Sequence, residues 1–260
     1  MRLFRMLLLA VVAAGMGFVF LTRPHPSAAE RGRRLADRQG CFTCHGAGGS
    51  KGAANPGRTD KTVPTFRGDL MMYADDAADV RAWILDGGTA RKRESKTWQE
   101  ARAAGALRMP SYRGALSARQ IEDLVAYVMA VSESPEPADS LALAGRDRAK
   151  ALGCEGCHGL GGRLAPLNPG SFKGYVPSWD SGDFAELVGD EREFGEWVRH
   201  GVSARFKSNP AASFFLKRAR LHMPAYDRHL AEGDLTALWA YVQWLRSPAA
   251  RPDSAAVTSF

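Results

Sequence analysis

Cys41-Phe42-Thr43-Cys44-His45 and Cys154-Glu155-Gly156-Cys157-His158 decide how this chain is read. Each is Cys-x-x-Cys-His, the attachment signature of c-type haem. The spacing has a chemical reason. Two thiols add across the two vinyl groups of one haem, and the adjoining histidine turns its ring to the iron as proximal ligand. The same pairs of cysteines are open to two other readings, a dithiol redox motif and half of a zinc site. All four cysteines of the chain lie in these motifs, so none is left for a structural disulfide. Two motifs, each set in the same larger context, favour haem over both rivals.

That context is an internal repeat. Cys41 and Cys154 stand 113 positions apart, as do Gly32 and Gly145, His45 and His158, Asn55-Pro56-Gly57 and Asn168-Pro169-Gly170, and Val63-Pro64 and Val176-Pro177. One residue is then added. At an offset of 114, Trp83 pairs with Trp197, Gly87 with Gly201, Met109-Pro110 with Met223-Pro224, Tyr112 with Tyr226, and Tyr127-Val128 with Tyr241-Val242. The pattern reads as two copies of one haem-binding unit. The expected division is an anchor or signal segment and tether at 1–29, a first domain at 30–133, a linker at 134–140, a second domain at 141–247 and a disordered tail at 248–260.

Periodicity makes both units all-α. Helices are expected from Ala28 to Gln39 and from Leu141 to Leu152, each leading into its motif. A helix capped by Asp75 or Asp76 runs through Val80, Trp83 and Ile84 to Gly87, and its counterpart holds Phe194, Trp197 and Val198. Ser117 opens the last helix of the first unit, with Ile121, Leu124, Val125 and Val128 on one face. Leu235, Leu238, Val242 and Leu245 form the matching face in the second. Ser132 to Pro137 is a short polar connector that cannot continue a helix, so the units are expected to pack together.

The second axial position on each iron decides what it can do. A filled position suits electron transfer, whereas an open one binds small ligands. Met109 and Met223, 64 and 65 residues after their histidines, each sit in Met-Pro-x-Tyr just before a final helix. The proline fixes the backbone after the sulfur, and Tyr112 or Tyr226 can close the pocket over a propionate or the haem edge. Core packing is the alternative for these methionines, and their recurrence in one context argues against it. Met71 and Met72 have no equivalents and read as packing residues. His222, beside Met223, is the rival ligand.

With these residues in place, each half resembles a class I cytochrome c domain, over approximately residues 30–131 and 141–246. The resemblance implies that the first and last helices cross with a small residue against an aromatic, roles that Gly32 with Tyr127 and Gly145 with Tyr241 fit. It also implies a proline whose neighbourhood accepts the ring N–H of the proximal histidine. Pro64 and Pro177 fit that part, with Pro56 and Pro169 as alternatives. The implied metal ligands are His45 and Met109, and His158 and Met223, with two haem c groups bound covalently through Cys41, Cys44, Cys154 and Cys157. Arg91-Lys92-Arg93 with Lys96, and Lys217-Arg218 with Arg220, lie in a segment longer than in the smallest members. They read either as a docking rim or as a solvated loop.

The totals agree. The 260 residues, 45% of them hydrophobic, suffice for two small domains. The formal charge of +7 omits the haem propionates, and basic residues are interleaved with acids, so no nucleic-acid partner is expected. Arg2 and Arg5 precede the uncharged run Met6 to Leu21, and Arg23 follows. Sixteen residues lie between a signal-peptide core and a full membrane span. An uncleaved anchor is favoured over cleavage near Ser27-Ala28-Ala29, and in either case the haem units lie outside the cytoplasmic membrane.

The expected function is electron transfer by a di-haem c-type cytochrome, as an anchored carrier or as a subunit of a respiratory or photosynthetic complex. Its partners would be redox proteins or a membrane oxidoreductase, with no small-molecule substrate and no catalytic residue. The alternative is a di-haem peroxidase-like oxidoreductase with one catalytic haem. That class needs an asymmetric pair of sites, whereas Met-Pro occurs in both halves.

Overall fold

Short polar caps and glycine stops divide the chain into helices. The computed structural model describes residues 23–133 and 135–250, together with 4–6, 9, 11–13 and 15–17. In the first half, α1 (Ala28–Arg38) starts at Ser27, whose hydroxyl accepts from the Glu30 N–H at 3.1 Å. It leads into α2 (Cys41–His45). Asp76 caps α3 (Ala77–Asp86), which Gly87 ends in the left-handed region. Short α4 (Ala90–Glu94) and α5 (Lys96–Ala104) follow, and a Ser117–Gln120 capping box opens α6 (Ala118–Val131).

The second half repeats the order. Its elements are α7 (Ser140–Ala151), α8 (Glu155–His158), α9 (Gly182–Leu187), α10 (Glu191–His200), α11 (Ala204–Ser208), α12 (Pro210–Arg218) and α13 (Asp234–Arg246). There is no strand among the described residues. Isolated antiparallel bridges join Ala54 to Thr62 and Leu167 to Tyr175, again 113 positions apart.

In each half the first and last helices cross at a glycine. A Cβ on Gly32 would lie 1.8 Å from the Asp123 carbonyl oxygen and 2.8 Å from Tyr127 Cβ. On Gly145 it would lie 1.9 Å from the Ala237 oxygen and 2.9 Å from Tyr241 Cβ. Only glycine lets these backbones approach so closely. Around each crossing lies an apolar core. One gathers Leu35, Val80, Ile84, Ile121, Leu124, Val125 and Val128, the other Phe184, Phe194, Val198, Leu238, Val242 and Leu245. Each such side chain contributes about 1.5–3 kcal/mol by burial.

The halves meet through the start of α1. Glu30 is fully buried, and its carboxylate accepts from Arg33 at 2.8 Å, from Arg34 at 2.7 Å and from the Ala165 N–H at 3.3 Å. Burial raises its pKa, but the two arginine hydrogen bonds outweigh that, and it stays below the usual carboxylate value. Ser27 Oγ donates to the Arg163 carbonyl at 2.9 Å, and the His25 N–H donates to Asp183 at 2.9 Å. Leu160 and Leu164, just after the second motif, pack against the first core, and Lys150 pairs with Glu133.

Three expectations need adjustment or fall outside the description. Met72 is exposed rather than packed, because the 3-10 turn Leu70–Met72 puts Leu70 against the core and Met72 outward; the Met71 side chain lies outside the description. Pro248–Ala250, expected to begin the tail, forms a turn with Ala250 buried and its carbonyl accepting from Arg163 at 3.1 Å. Residues 251–260 lie outside the described residues, as does much of the expected anchor. Among the described residues no helix is long and apolar enough to cross a membrane.

Candidate functional site

Each motif begins at a corner. Gly40 and Gly153, at φ 71° and 73°, turn the chain from the end of α1 or α7 into the first cysteine. The histidine that ends the motif is then pinned from one side. His45 Nδ1 lies 2.8 Å from the Pro64 carbonyl oxygen, and His158 Nδ1 lies 3.4 Å from that of Pro177. A carbonyl can only accept, so Nδ1 carries the proton and Nε2 keeps its lone pair. Burial lowers the pKa of His45 and brings that of His158 down to about 4. Both rings are therefore neutral, the form that ligates a metal.

An aromatic ring sits beside each imidazole. Phe66 lies 4.7 Å from His45 and Trp179 lies 5.0 Å from His158, centroid to centroid. Each meets the crossing tyrosine edge-on, Phe66 against Tyr127 at 6.2 Å and Trp179 against Tyr241 at 6.0 Å. The helix crossing thus holds the aromatic, and the aromatic keeps water from the imidazole.

The four cysteines are free and half-buried. Burial raises the Cys41 thiol above its usual pKa, partly opposed by a hydrogen bond with Tyr112, and pushes that of Cys154 up to about 11. Thiols held protonated in this way are unlike the activated thiolate of a redox dithiol. Nor do they gather the four ligands of a structural zinc site. Among the described residues, three potential metal ligands converge only at His25, Asp183 and Glu186. There the Lys173 ammonium bridges both carboxylates, which makes the cluster an ion-pair clasp.

The methionine segments are clamped at both ends. Before Met109, the Asn55 side chain accepts from the Leu107 N–H at 2.8 Å and donates to the Leu107 carbonyl at 3.1 Å. Asn168 does the same to Leu221 at 2.8 and 2.9 Å. After the methionines, the Tyr112 N–H donates to the Ile84 carbonyl at 3.1 Å and the Tyr226 N–H to that of Val198 at 3.0 Å. Met109 and Tyr112 pack on the same core as Cys41, and Met223 and Tyr226 on the same core as Cys154. His222 is exposed, and its Nε2 lies 2.8 Å from the Leu216 carbonyl. It is turned to the surface while Met223 faces inward.

These features fit haem c. The donor set in each half is two thiols, a neutral imidazole with Nε2 free, and a thioether, with the first cysteine and the methionine packed on one apolar core. Sequence reasoning missed Phe66 and Trp179 and the bracketing role of Asn55 and Asn168. Both pairs obey the offset of 113, and that correspondence was the available signal.

Residues 29–132 match the cytochrome c family. Domains of that family bind haem c covalently and transfer electrons. No curated protein matches the chain. Among solved structures, a chain of the Kuenenia stuttgartiensis reducing HAO-like protein complex aligns with 86% of this chain and all of its own length. The identity is 16% and the TM-score 0.27, a likeness too slight to carry an argument.

Proposed function

We propose that the cytochrome c domain at residues 29–132 is followed by a second, and that the chain is a di-haem electron carrier working outside the cytoplasmic membrane. The observation that carries the reading is the repeated proximal set, His158 with Pro177 and Trp179 standing to one another as His45 does to Pro64 and Phe66. Cys41 with Cys44, and Cys154 with Cys157, would hold the groups through thioethers. His45 with Met109, and His158 with Met223, would supply the ligands to each iron.

Haem c, when bound, supplies a one-electron iron couple. The chain supplies the conditions for it. The Pro64 and Pro177 carbonyls orient the imidazoles, and a hydrogen bond at Nδ1 makes each a stronger donor. Thioether ligation raises the potential, which suits the oxidising end of a respiratory or photosynthetic chain. Phe66, Trp179 and the cores exclude water. Tyr112 and Tyr226 cover the edge of each pocket.

The position at a membrane is also proposed. Phe4, Met6, Leu9, Val11 and Met16 have exposures between 65% and 72%, an apolar surface suited to lipid. His25, Ser27 and Glu30 are all bonded to the second half, which leaves little free tether before the head and suits a resident subunit of a larger complex better than a swinging carrier.

Spectroelectrochemical titration of the full chain tests the reading. Two one-electron steps, with no peroxide-dependent oxidation of a reduced donor, are expected. Sustained peroxide turnover would instead establish the peroxidase-like alternative.

A further inference from the structure

A groove that an ion pair bridges in the first half stands open in the second. In the first half the Arg81 guanidinium, on α3, bonds both carboxylate oxygens of Glu122, on α6, at 2.6 and 2.7 Å. At the offset of 114 the second half has Gly195 and Thr236 in their place. There a groove of about 640 Å³ separates α10 from the start of α13. Nothing in the fold calls for that glycine. Gly195 lies outside the left-handed region, and a Cβ on it would come no closer than 3.7 Å, to Leu235 Cδ1. Inside a helix, glycine costs about 1 kcal/mol relative to alanine. A cost carried without a close backbone approach points to something outside the chain that needs the space.

The walls of the groove indicate what enters it. Its deeper side is apolar, with Leu230 and Leu235 half-buried beside the buried Gly195. Four carboxylates and two guanidinium groups stand around it. Arg192 pairs with Glu196 and Arg199 with Asp227, which leaves Glu191 and Glu232 exposed and without a cation among the described residues. The first half has alanine at both positions, Ala77 and Ala118. The second half has thus lost its internal cation and gained two carboxylates at the rim. An alkyl stem lying on the apolar side, with its charge at the rim, is the chemistry of a lysine or arginine side chain.

We propose that the groove seats a basic segment of a neighbouring subunit, whose lysine or arginine takes the place that Arg81 takes in the first half. The inference rests on reading the chain as a resident subunit of a larger complex. None of the lining residues belongs to Cys154–His158 or to the bracketed segment 221–226, so the contact is one of assembly, apart from the proposed haem ligands. Charge complementarity selects a basic partner over an acidic one. A free small molecule is a poorer fit, because small ligands are largely enclosed by their sites, whereas Arg192, Ala231 and Gly233 line this groove and are exposed.

The test uses the full-length holoprotein in gently solubilised native membranes, run on a haem-stained native gel. Wild type, Gly195→Arg/Thr236→Glu and Glu191→Gln/Glu232→Gln are compared, once haem count and absorption spectrum show their sites intact. The first variant rebuilds the Arg81–Glu122 pair and fills the groove. The second removes only the two rim charges, both on the surface, so its folding should survive. Each should raise the ratio of free to assembled chain at least about tenfold, the scale of one lost hot spot. A photoreactive diazirine side chain in place of Glu232 should cross-link to another protein. Peptide mass spectrometry should then find lysine or arginine within one helical turn of the link. An unchanged ratio in both variants would overturn the proposal. Links only to this chain's own sequence, to lipid, or to a segment without a basic residue would overturn it as well. A wild-type band near the size of the chain alone would instead overturn the resident-subunit reading, and the groove proposal with it.

Discussion

His45 Nδ1 lies 2.8 Å from the carbonyl oxygen of Pro64, and this contact fixes which nitrogen the ring can offer to an iron. The acceptor is main chain, so its position depends on the stiffness of Pro64. Pro64→Ala should loosen the loop, weaken the hydrogen bond and make the imidazole a poorer donor. The oxidised iron loses more by this than the reduced one. A rise in the midpoint potential of the first haem is expected, on the order of 60 mV, or tenfold in a one-electron equilibrium. Spectroelectrochemical titration would show it, and an unchanged or lower potential would refute this role.

Met109 and Met223 sit in segments clamped by Asn55 or Asn168 before them and by the Ile84 or Val198 carbonyl after them. Met109→Ala and Met223→Ala should each remove the thioether-to-iron absorption of one haem and lower its potential. The spectrum of the other haem should persist. If both variants keep the full wild-type absorption, the ligand assignment fails.

The glycine at each crossing cannot be replaced. In Gly145→Ala the new methyl would meet a backbone carbonyl at 1.9 Å, which no rotamer change relieves. The cost is expected to be at least about 1–3 kcal/mol, seen as a melting temperature several degrees lower in calorimetry. Gly195→Ala in α10 is the contrast. Its nearest contact would be Leu235 Cδ1 at 3.7 Å, so this change should be neutral or stabilising. Similar losses in both would contradict the crossing geometry.

Glu193 makes the second half acid-sensitive. The Arg205 guanidinium, at 2.8 Å, holds its pKa down to about 2 despite burial, aided by the Gly189 N–H and the Ser203 hydroxyl. The folded value lies below the ordinary 4.5. Its stabilisation is therefore complete above about pH 4.5 and is lost as pH falls toward 2. Glu193→Gln should lower the melting temperature at pH 6 and flatten its fall between pH 5 and pH 3. An acid profile parallel to wild type would remove Glu193 from the account.

Much of this architecture was legible because covalent chemistry and close packing tolerate little variation. Cys-x-x-Cys-His must keep its spacing, and Gly32 and Gly145 must stay small against Tyr127 and Tyr241, so the repeat could be followed position by position. The contact between the halves left no such trace. Ser27 read as part of a possible cleavage site and Glu30 as part of a short helix, yet they bond to Arg163 and Ala165 more than 130 positions away. Nothing periodic connects residues that meet across two units.

Turns were the other blind spot. Leu70 and Met72 are equally apolar in sequence, and only the 3-10 geometry sends one inward and the other to solvent. Phe172 meets Phe215 only because the Asn168 bracket brings 167–172 beside 214–221. Phe66 and Trp179 lie in loops without periodicity, and their place beside the histidines follows only from the folded proline segment.

The central claim is that both halves carry haem, and counting haem per polypeptide tests it most directly. The pyridine haemochrome of the purified full chain, set against quantitative amino-acid analysis, should give two per chain, with one in Cys154→Ser/Cys157→Ser. A value of one in the wild-type protein, unchanged by that double substitution, would contradict the account.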